Sequence, residues 1–447
     1  MRPAEPAGAP TRRAALRLLD AVLRRGLPLE AALSASTGVL KRPEDRGLAR
    51  AIASETLRRL PDLDALIDSA TRQPLPADAK ARFALRIALV QALAMGTPPH
   101  AAIATALPLV EGGPRRLVHG VFGALMRRGA SLPEPPHFPE AVARRWAEAW
   151  GEEAMERARA GLAGLPSLDL TLADASVTRS WAERLGAISF APGHLRLPHC
   201  HSDESRNPFG PPSPSSGEAR MDADFRQHDR KGDVTALPGY DEGAWWVQDF
   251  AASLPARLIG PGKGKALDLC AAPGGKTLQL AAADWDVTAV ELAPARLARL
   301  RENLARTGLA AELVEADVTA WEPAVPADAV LLDAPCSATG IFRRHPDVLH
   351  RVRPSAVAQL AETQAAMLAR AAKWVKPGGT LVYAVCSLEP EEGEGVARGI
   401  GLSVDPIRAD ELPAGLAPTP EGFLRVPPGA LSDAGGCDGF FVARFKA

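Results

Sequence analysis

Residues 266–277 read Ala266-Leu267-Asp268-Leu269-Cys270-Ala271-Ala272-Pro273-Gly274-Gly275-Lys276-Thr277. An apolar strand runs into a Pro-Gly-Gly turn, and a helix follows. Two adjacent glycines permit positive φ and a close approach of backbone amides to a ligand, with the next helix's N-terminus facing it. This strand–turn–helix order opens a parallel α/β unit. The same alternation continues downstream in strands at Asp286–Val290, Glu312–Val314, Ala329–Leu332 and Thr380–Val385. Between them lie helices at Pro294–Thr307, with Leu297, Leu300 and Leu304 on one face, and at Ser355–Val375, closed by Lys376-Pro377-Gly378-Gly379. The pattern predicts a doubly wound, Rossmann-like α/β domain that binds ligands at the carboxyl ends of its strands. The tail Gly439–Phe445 reads as one more strand closing the sheet.

Upstream the period changes from 2 to 3.6. Ala15, Leu18, Leu19 and Val22 share one helical face, and similar patterns recur in Leu48–Leu60, Ala81–Ala94 and Leu117–Arg128. An all-α bundle over 1–132 is expected. The proline cluster Leu132–Pro136 makes a linker, followed by a helix at about Pro139–Ala163 and a small α+β middle subdomain over 137–198. Residues 199–232 are rich in Pro, Ser and Gly with almost no aliphatic content, which predicts a flexible surface insertion. The catalytic domain is expected over 233–447. His199-Cys200-His201 lacks the spacing and the second cluster that a tetrahedral metal site needs, so no metal is expected.

With 46% hydrophobic and 23% charged residues among 447, the chain has an ordinary globular composition, which excludes wholesale disorder. Its five cysteines include no Cys-x-x-Cys pair, so neither a disulfide framework nor a zinc ribbon is expected. No segment has the length and apolarity of a membrane span, and Arg12, Arg13, Arg17 and Asp20 interrupt the N-terminus where a signal peptide needs its apolar run. The expected location is the cytoplasm. Lys+Arg number 52 and Asp+Glu 53, a formal net charge of -1. That neutrality is a cancellation, because residues 1–135 hold 20 basic and 12 acidic residues, a net of +8, and the remainder carries -9.

Each strand end of the α/β domain offers a chemical group. The Cys270–Thr277 loop has neither the Walker nor the Gly-x-Gly-x-x-Gly spacing, so it suits no phosphate chain. Glu291 ends the second strand, 23 residues beyond Asp268, about where a Rossmann-like fold presents an acid to ribose hydroxyls. Asp317 follows the third strand and suits an adenine amino group. Strand-end acids beside a Gly-rich loop fit a phosphate-free adenosine ligand, and S-adenosylmethionine has that chemistry. The fourth strand enters Asp333-Ala334-Pro335-Cys336-Ser337-Ala338-Thr339-Gly340 and the fifth enters Cys386-Ser387. Two thiols therefore stand at neighbouring strand ends, whereas Cys270 and Cys437 read as packing residues.

The stretches Asp333–Gly340, Leu269–Thr277 and Val385–Leu388 closely resemble the RNA cytosine-C5 methyltransferases. Phe342-Arg343-Arg344-His345-Pro346-Asp347 resembles the bacterial Sun/RsmB branch, which methylates small-subunit (16S) ribosomal RNA. Leu237-Pro238-Gly239, Val247-Gln248-Asp249 and Asp438-Gly439-Phe440-Phe441 extend the likeness. The N-terminal helices, with Ala14–Ala21, Asp45–Arg50 and Pro98–Ala102, are similar to that branch's NusB-like RNA-binding domain. The resemblance implies S-adenosylmethionine as cofactor, held by Cys270, Ala271, Ala272, Pro273, Gly274, Gly275, Lys276, Glu291, Asp317 and Asp333. It implies 5-methylcytosine as product, with Cys386 adding to C6, Asp333 assisting at N3 and Cys336 helping to remove the C5 proton. The residues alone leave open which thiol attacks, and whether the substrate is ribosomal or another RNA.

The target cytosine must leave any stack, so an unpaired or flipped base is expected. Aromatic residues are only 5% of the chain, which directs RNA binding to arginine–phosphate contacts rather than stacking. The basic helical domain is the expected docking surface, with Arg343, Arg344 and His345 guiding the strand near the catalytic loop. No obligate protein partner and no membrane contact is expected, and a monomer is the default.

Overall fold

The computed structural model describes residues 6–164, 166–197 and 234–447. The expected insertion at 199–232, with His199, Cys200 and His201, lies outside the described residues. Two compact units form: Met1–Leu165 with Thr339–Pro354, and Pro166–Ala338 with Ser355–Ala447. No described helix is long and apolar enough to cross a membrane.

The first unit is helical: α1 Ala9–Leu23, α2 Leu29–Thr37, α3 Pro43–Arg58, α4 Leu60–Ser69, α5 Lys80–Leu93, α6 Pro99–Ala106, α7 Gly112–Arg127, α8 Glu140–Trp150 and α9 Glu152–Ala163. Ala15, Leu18, Leu19 and Val22 of α1 are buried as their spacing requires. Helix α5 is buried on nearly every side although it carries two arginines. Asp64 of α4 takes both Nε and Nη2 of Arg86 at 2.8 Å, and Asp68 takes Arg82 Nη2 at 2.8 Å, so the buried guanidinium groups are paired. The single helix expected over 139–163 is two, because Gly151 at φ 78° breaks it. Both halves pack with the N-terminal helices rather than with a middle subdomain.

Thr339–Pro354 also belongs to this unit, although in sequence it follows the catalytic loop. Helix α2 shows why. Its N-cap position is Pro28, which offers no side-chain acceptor, and the Leu29 amide instead donates to Asp347 Oδ2 at 3.3 Å. An acid at a helix N-terminus satisfies an orphan amide and the macrodipole together. Phe342 packs edge-on to Phe138 at 5.5 Å between ring centroids, and His350 Nε2 lies 2.7 Å from the Leu57 carbonyl.

The second unit holds two sheets. The smaller has order β2-β1-β3, all antiparallel, from β1 Leu168–Leu172, β2 His194–Leu197 and β3 Trp245–Val247, with helix α10 Thr178–Leu185 beside it. Strand β3 extends this subdomain beyond the expected boundary at 198, and it buries Trp245 and Trp246 as core. The larger sheet contains β4 Lys265–Leu269, β5 Asp286–Glu291, β6 Glu312–Glu315, β7 Ala327–Asp333, β8 Val375–Val385, β9 Ser403–Val404, β10 Leu424–Val426 and β11 Phe440–Lys446. Its order is β10-β11-β8-β7-β4-β5-β6, with β9 also on β11. The strands from β6 to β8 are parallel, while β11 is antiparallel to β8 and to β10. The C-terminal strand therefore lies inside the sheet rather than closing its edge. Alternate residues of β7 serve the two faces: Val330 and Leu332 join one core, Ala329 and Leu331 the other. The chain order reverses at β4, which has β5 on one side and β7 on the other, and that switch point opens the ligand crevice.

Candidate active site

The expected groups gather at the carboxyl ends of β4, β5, β7 and β8. After β4, Cys270 takes φ 61° and Gly274 φ 108°, which turns the loop so that helix Gly275–Ala282 starts at the crevice. Gln248 lies against Gly275, where a Cβ would stand 3.2 Å from its amide, and donates to Gln279 Oε1 at 2.8 Å. A Cβ at 275 would press on that support, so the Gln248 amide would have to give by a few tenths of an ångström. Glu291 anchors the loop from β5: its carboxylate accepts the Ala272 amide at 3.3 Å and the Ala293 amide at 3.0 Å. Arg296 bridges Glu291 at 3.5 Å and donates to the Ala272 carbonyl. Beyond β6, Asp317 Oδ1 accepts from the Thr319 amide at 2.8 Å and hydroxyl at 2.7 Å, and these bonds hold its carboxyl below the usual range.

Asp268, at the end of β4, is fully buried. Its Oδ2 accepts the Thr277 hydroxyl at 2.6 Å, while Oδ1 has no hydrogen-bond partner among the described residues. Burial pushes its carboxyl up to about 7 against the opposing Thr277 bond. Burial likewise raises the Cys270 thiol to about 12, so this cysteine stays protonated and packs. Cys437 is buried with Sγ 3.8 Å from the Ala430 carbonyl.

Lys276 and Asp333 form the charged centre. Nζ lies 2.7 Å from Asp333 Oδ2 and 5.2 Å from the centroid of Phe440, in a nearly dry setting. Burial opposes the ammonium charge, but Asp333 outweighs it and raises the lysine's pKa, with Asp268 and Cys386 adding to the pull. The strands β7 and β8 then bring the two predicted thiols together, with Cys336 Sγ 3.5 Å from Cys386 Sγ. The bond to Cys386 and burial push the Cys336 thiol well up, so Cys336 keeps its proton. Two thiolates cannot coexist at this distance.

The sequence reading passed over a buried network behind the thiols, made by Ser337, Ser387, Gln364, Tyr383 and Glu392. Its signal was present: a serine follows each cysteine, and the acid-rich Glu389-Pro390-Glu391-Glu392 comes directly after. Arg343, expected to face RNA, is buried in the helical unit. Its side chain runs along Gly161, where a Cβ would stand 3.6 Å from Cδ, and its carbonyl accepts Arg58 Nη2 at 3.1 Å. Packing thus claims Arg343, whereas Arg344 is exposed and His345 half-buried.

A Rossmann-like sheet with strand-end acids, a Gly-rich loop and no phosphate-binding spacing suits a phosphate-free adenosine ligand, and comparison with known proteins defines the class as an S-adenosylmethionine-dependent RNA methyltransferase joined to a helical NusB-like domain. Residues 259–446 match the 16S rRNA methyltransferase RsmB/F family, and residues 9–125 match the NusB family. Ribosomal RNA small subunit methyltransferase B of Pseudomonas syringae pv. tomato is 33% identical, with 97% of this chain and 96% of that protein aligned. The protein of the same description from Vibrio cholerae is 34% identical over 85% of this chain and 86% of its own length. The chain belongs to the ribosomal RNA small subunit methyltransferase B family. Among solved structures, PH0851 shares the fold with a TM-score of 0.67 and 20% identity, covering 98% of this chain and 99% of its own. NSun6 from Pyrococcus horikoshii, solved with SFG, gives 0.54 at 18% identity over 69% of this chain and 98% of its own.

Proposed function

We propose that the chain forms 5-methylcytosine in small-subunit ribosomal RNA through a covalent bond between Cys386 and cytosine C6. The observation that carries this reading is the pair of thiols 3.5 Å apart, beside the Lys276–Asp333 ion pair. C5 of cytosine is a poor nucleophile until a nucleophile adds at C6. The Lys276 ammonium stands close enough to Cys386 to interact with it electrostatically, which places a cation beside the sulfur that adds. Cys386 Sγ adds to C6, and the displaced π electrons are accommodated toward N3, where Asp333 assists. S-adenosylmethionine supplies the electrophilic methyl group that the activated C5 takes up. Cys270–Lys276, Glu291 and Asp317 would hold this cofactor: the two carboxylates can accept from its hydroxyl and amino groups, and the glycine turn with the helix N-terminus suits its carboxylate, with no phosphate to accommodate. The C5 proton then leaves to solvent with Cys336 helping its removal; the C5–C6 double bond re-forms and Cys386 leaves as thiolate.

The substrate is an unpaired or flipped cytosine, and the chain acts as a monomer. Docking rests on the basic helical domain, with Arg344 and His345 as the exposed members of the segment beyond the catalytic loop. Bisulfite mapping of total RNA with and without the gene tests the reaction: one cytosine of the small-subunit RNA should lose its methyl group. Loss of no site would overturn the reading. Cys386→Ala should abolish covalent RNA adducts and Cys336→Ala should accumulate them; the reverse pattern would exchange their roles.

A further inference from the structure

Behind the two thiols lies a carboxylate with no catalytic assignment. Glu392 is fully buried, and among the described residues it has no cationic partner within ion-pair distance. Four neutral donors satisfy it instead. The Ser337 amide reaches Oε1 at 2.8 Å and Gln364 Nε2 reaches it at 3.0 Å. The Ser387 hydroxyl donates to Oε2 at 2.5 Å, and the Ser337 hydroxyl donates to the same oxygen. A buried acid is costly, and a core that only needed packing would be more stable with an apolar side chain there.

The placement of the donors suggests what the acid achieves. Ser337 follows Cys336, Ser387 follows Cys386, and the two hydroxyl oxygens lie 3.1 Å apart. A carboxylate only accepts, so both hydroxyls must point at it, which fixes the first residues of two separate loops to one group. The anchor is itself braced. Tyr383 on β8 donates its single hydroxyl proton chiefly to the Glu392 carbonyl at 2.5 Å, with Gln364 Oε1 sharing it at 3.1 Å. Gln364 donates to the Pro335 carbonyl at 2.9 Å, and Arg425 Nη1 to the Ser387 carbonyl at 2.6 Å.

We propose that Glu392 is a positioning residue that clamps the Cys336 and Cys386 loops together and sets the distance between their sulfurs. This rests on the two-thiol reading above, yet it has a readout independent of methylation. Diamide oxidises two neighbouring thiols to a disulfide: the thiols give up two protons and two electrons, and the diazene N=N becomes a hydrazine. The rate of Cys336–Cys386 bond formation, followed by peptide mapping of the full chain, therefore reports the sulfur geometry directly.

Glu392→Ala should slow this cross-link by about tenfold or more and lower kcat by roughly 10–100-fold, with KM for S-adenosylmethionine little changed. Glu392→Gln should recover most of both, because its amide oxygen can take the two N–H donors while its NH2 faces the two hydroxyls. A folded Glu392→Ala protein with wild-type cross-linking and kcat would overturn the clamp. If that variant does not melt cooperatively, Ser337→Ala combined with Ser387→Ala is read by the same two measurements, and wild-type values of both would again overturn it. If the wild type makes no methylcytosine but its cross-linking still depends on Glu392, the covalent mechanism fails and the clamp stands.

Discussion

Asp268 shows how one buried carboxyl in this crevice weighs on the fold. Its carboxyl titrates at about 7 because burial outweighs the bond from Thr277. The unfolded chain would titrate near 3.9. The native state therefore binds this proton more tightly, and the group's contribution to stability is whole below about pH 4 and lost as pH rises through about 7. Asp268→Asn keeps an acceptor for Thr277 and carries no charge. Relative to wild type it should gain stability as pH climbs from about 5 to 8, by on the order of 1–3 kcal/mol at the upper end. Melting curves at both pH values check this, and an unchanging gap in Tm would count against the burial argument. The same logic holds for Cys270, whose thiol is kept protonated by burial.

At the scale of elements, the periodic segments were legible. The apolar face of α1, the parallel strands β4–β8 and the strand-end positions of Asp333, Cys336 and Cys386 follow from spacings of 3.6 and 2. Pairings made by distant segments were not. Trp245–Val247 is too short to show alternation, and it becomes a strand only because β1 supplies its ladder. The C-terminal strand has an ordinary strand pattern, but nothing in it tells an interior place from an edge. Glu392 was hidden for the same reason, since its partners come from three separate stretches. Helix α2 is the sharpest instance, because its N-terminal amide is satisfied by Asp347, 318 residues away. Asp347→Ala should destabilise the helical unit by about 1–2 kcal/mol, and Asp347→Asn by less, since an acceptor remains. Denaturant titration of the full chain followed by a probe in α2 measures the difference; equal effects would mean that the charge, not the acceptor, matters.

For the whole molecule the decisive quantity is the distribution of charge, not its sum. A net of -1 conceals +8 over residues 1–135, and a phosphate-rich partner would meet that excess on the helical surface. Arg115 and Arg116 on α7 are exposed. Among the described residues no ion pair or hydrogen bond engages their side chains, so they separate docking from stability. If RNA is held by arginine–phosphate contacts, each lost contact removes about one released counterion. The pair Arg115→Glu and Arg116→Glu should then weaken binding to small-subunit RNA by roughly tenfold at about 0.15 M salt and flatten the slope of log K against log salt by about 1–2. Melting temperature and affinity for S-adenosylmethionine should stay at wild-type values. The weakening should also be similar for RNAs of different sequence, because phosphate contacts carry position rather than base identity. A salt slope unchanged by the double substitution would move the docking surface away from α7, and a loss confined to one RNA sequence would replace electrostatic docking with base recognition.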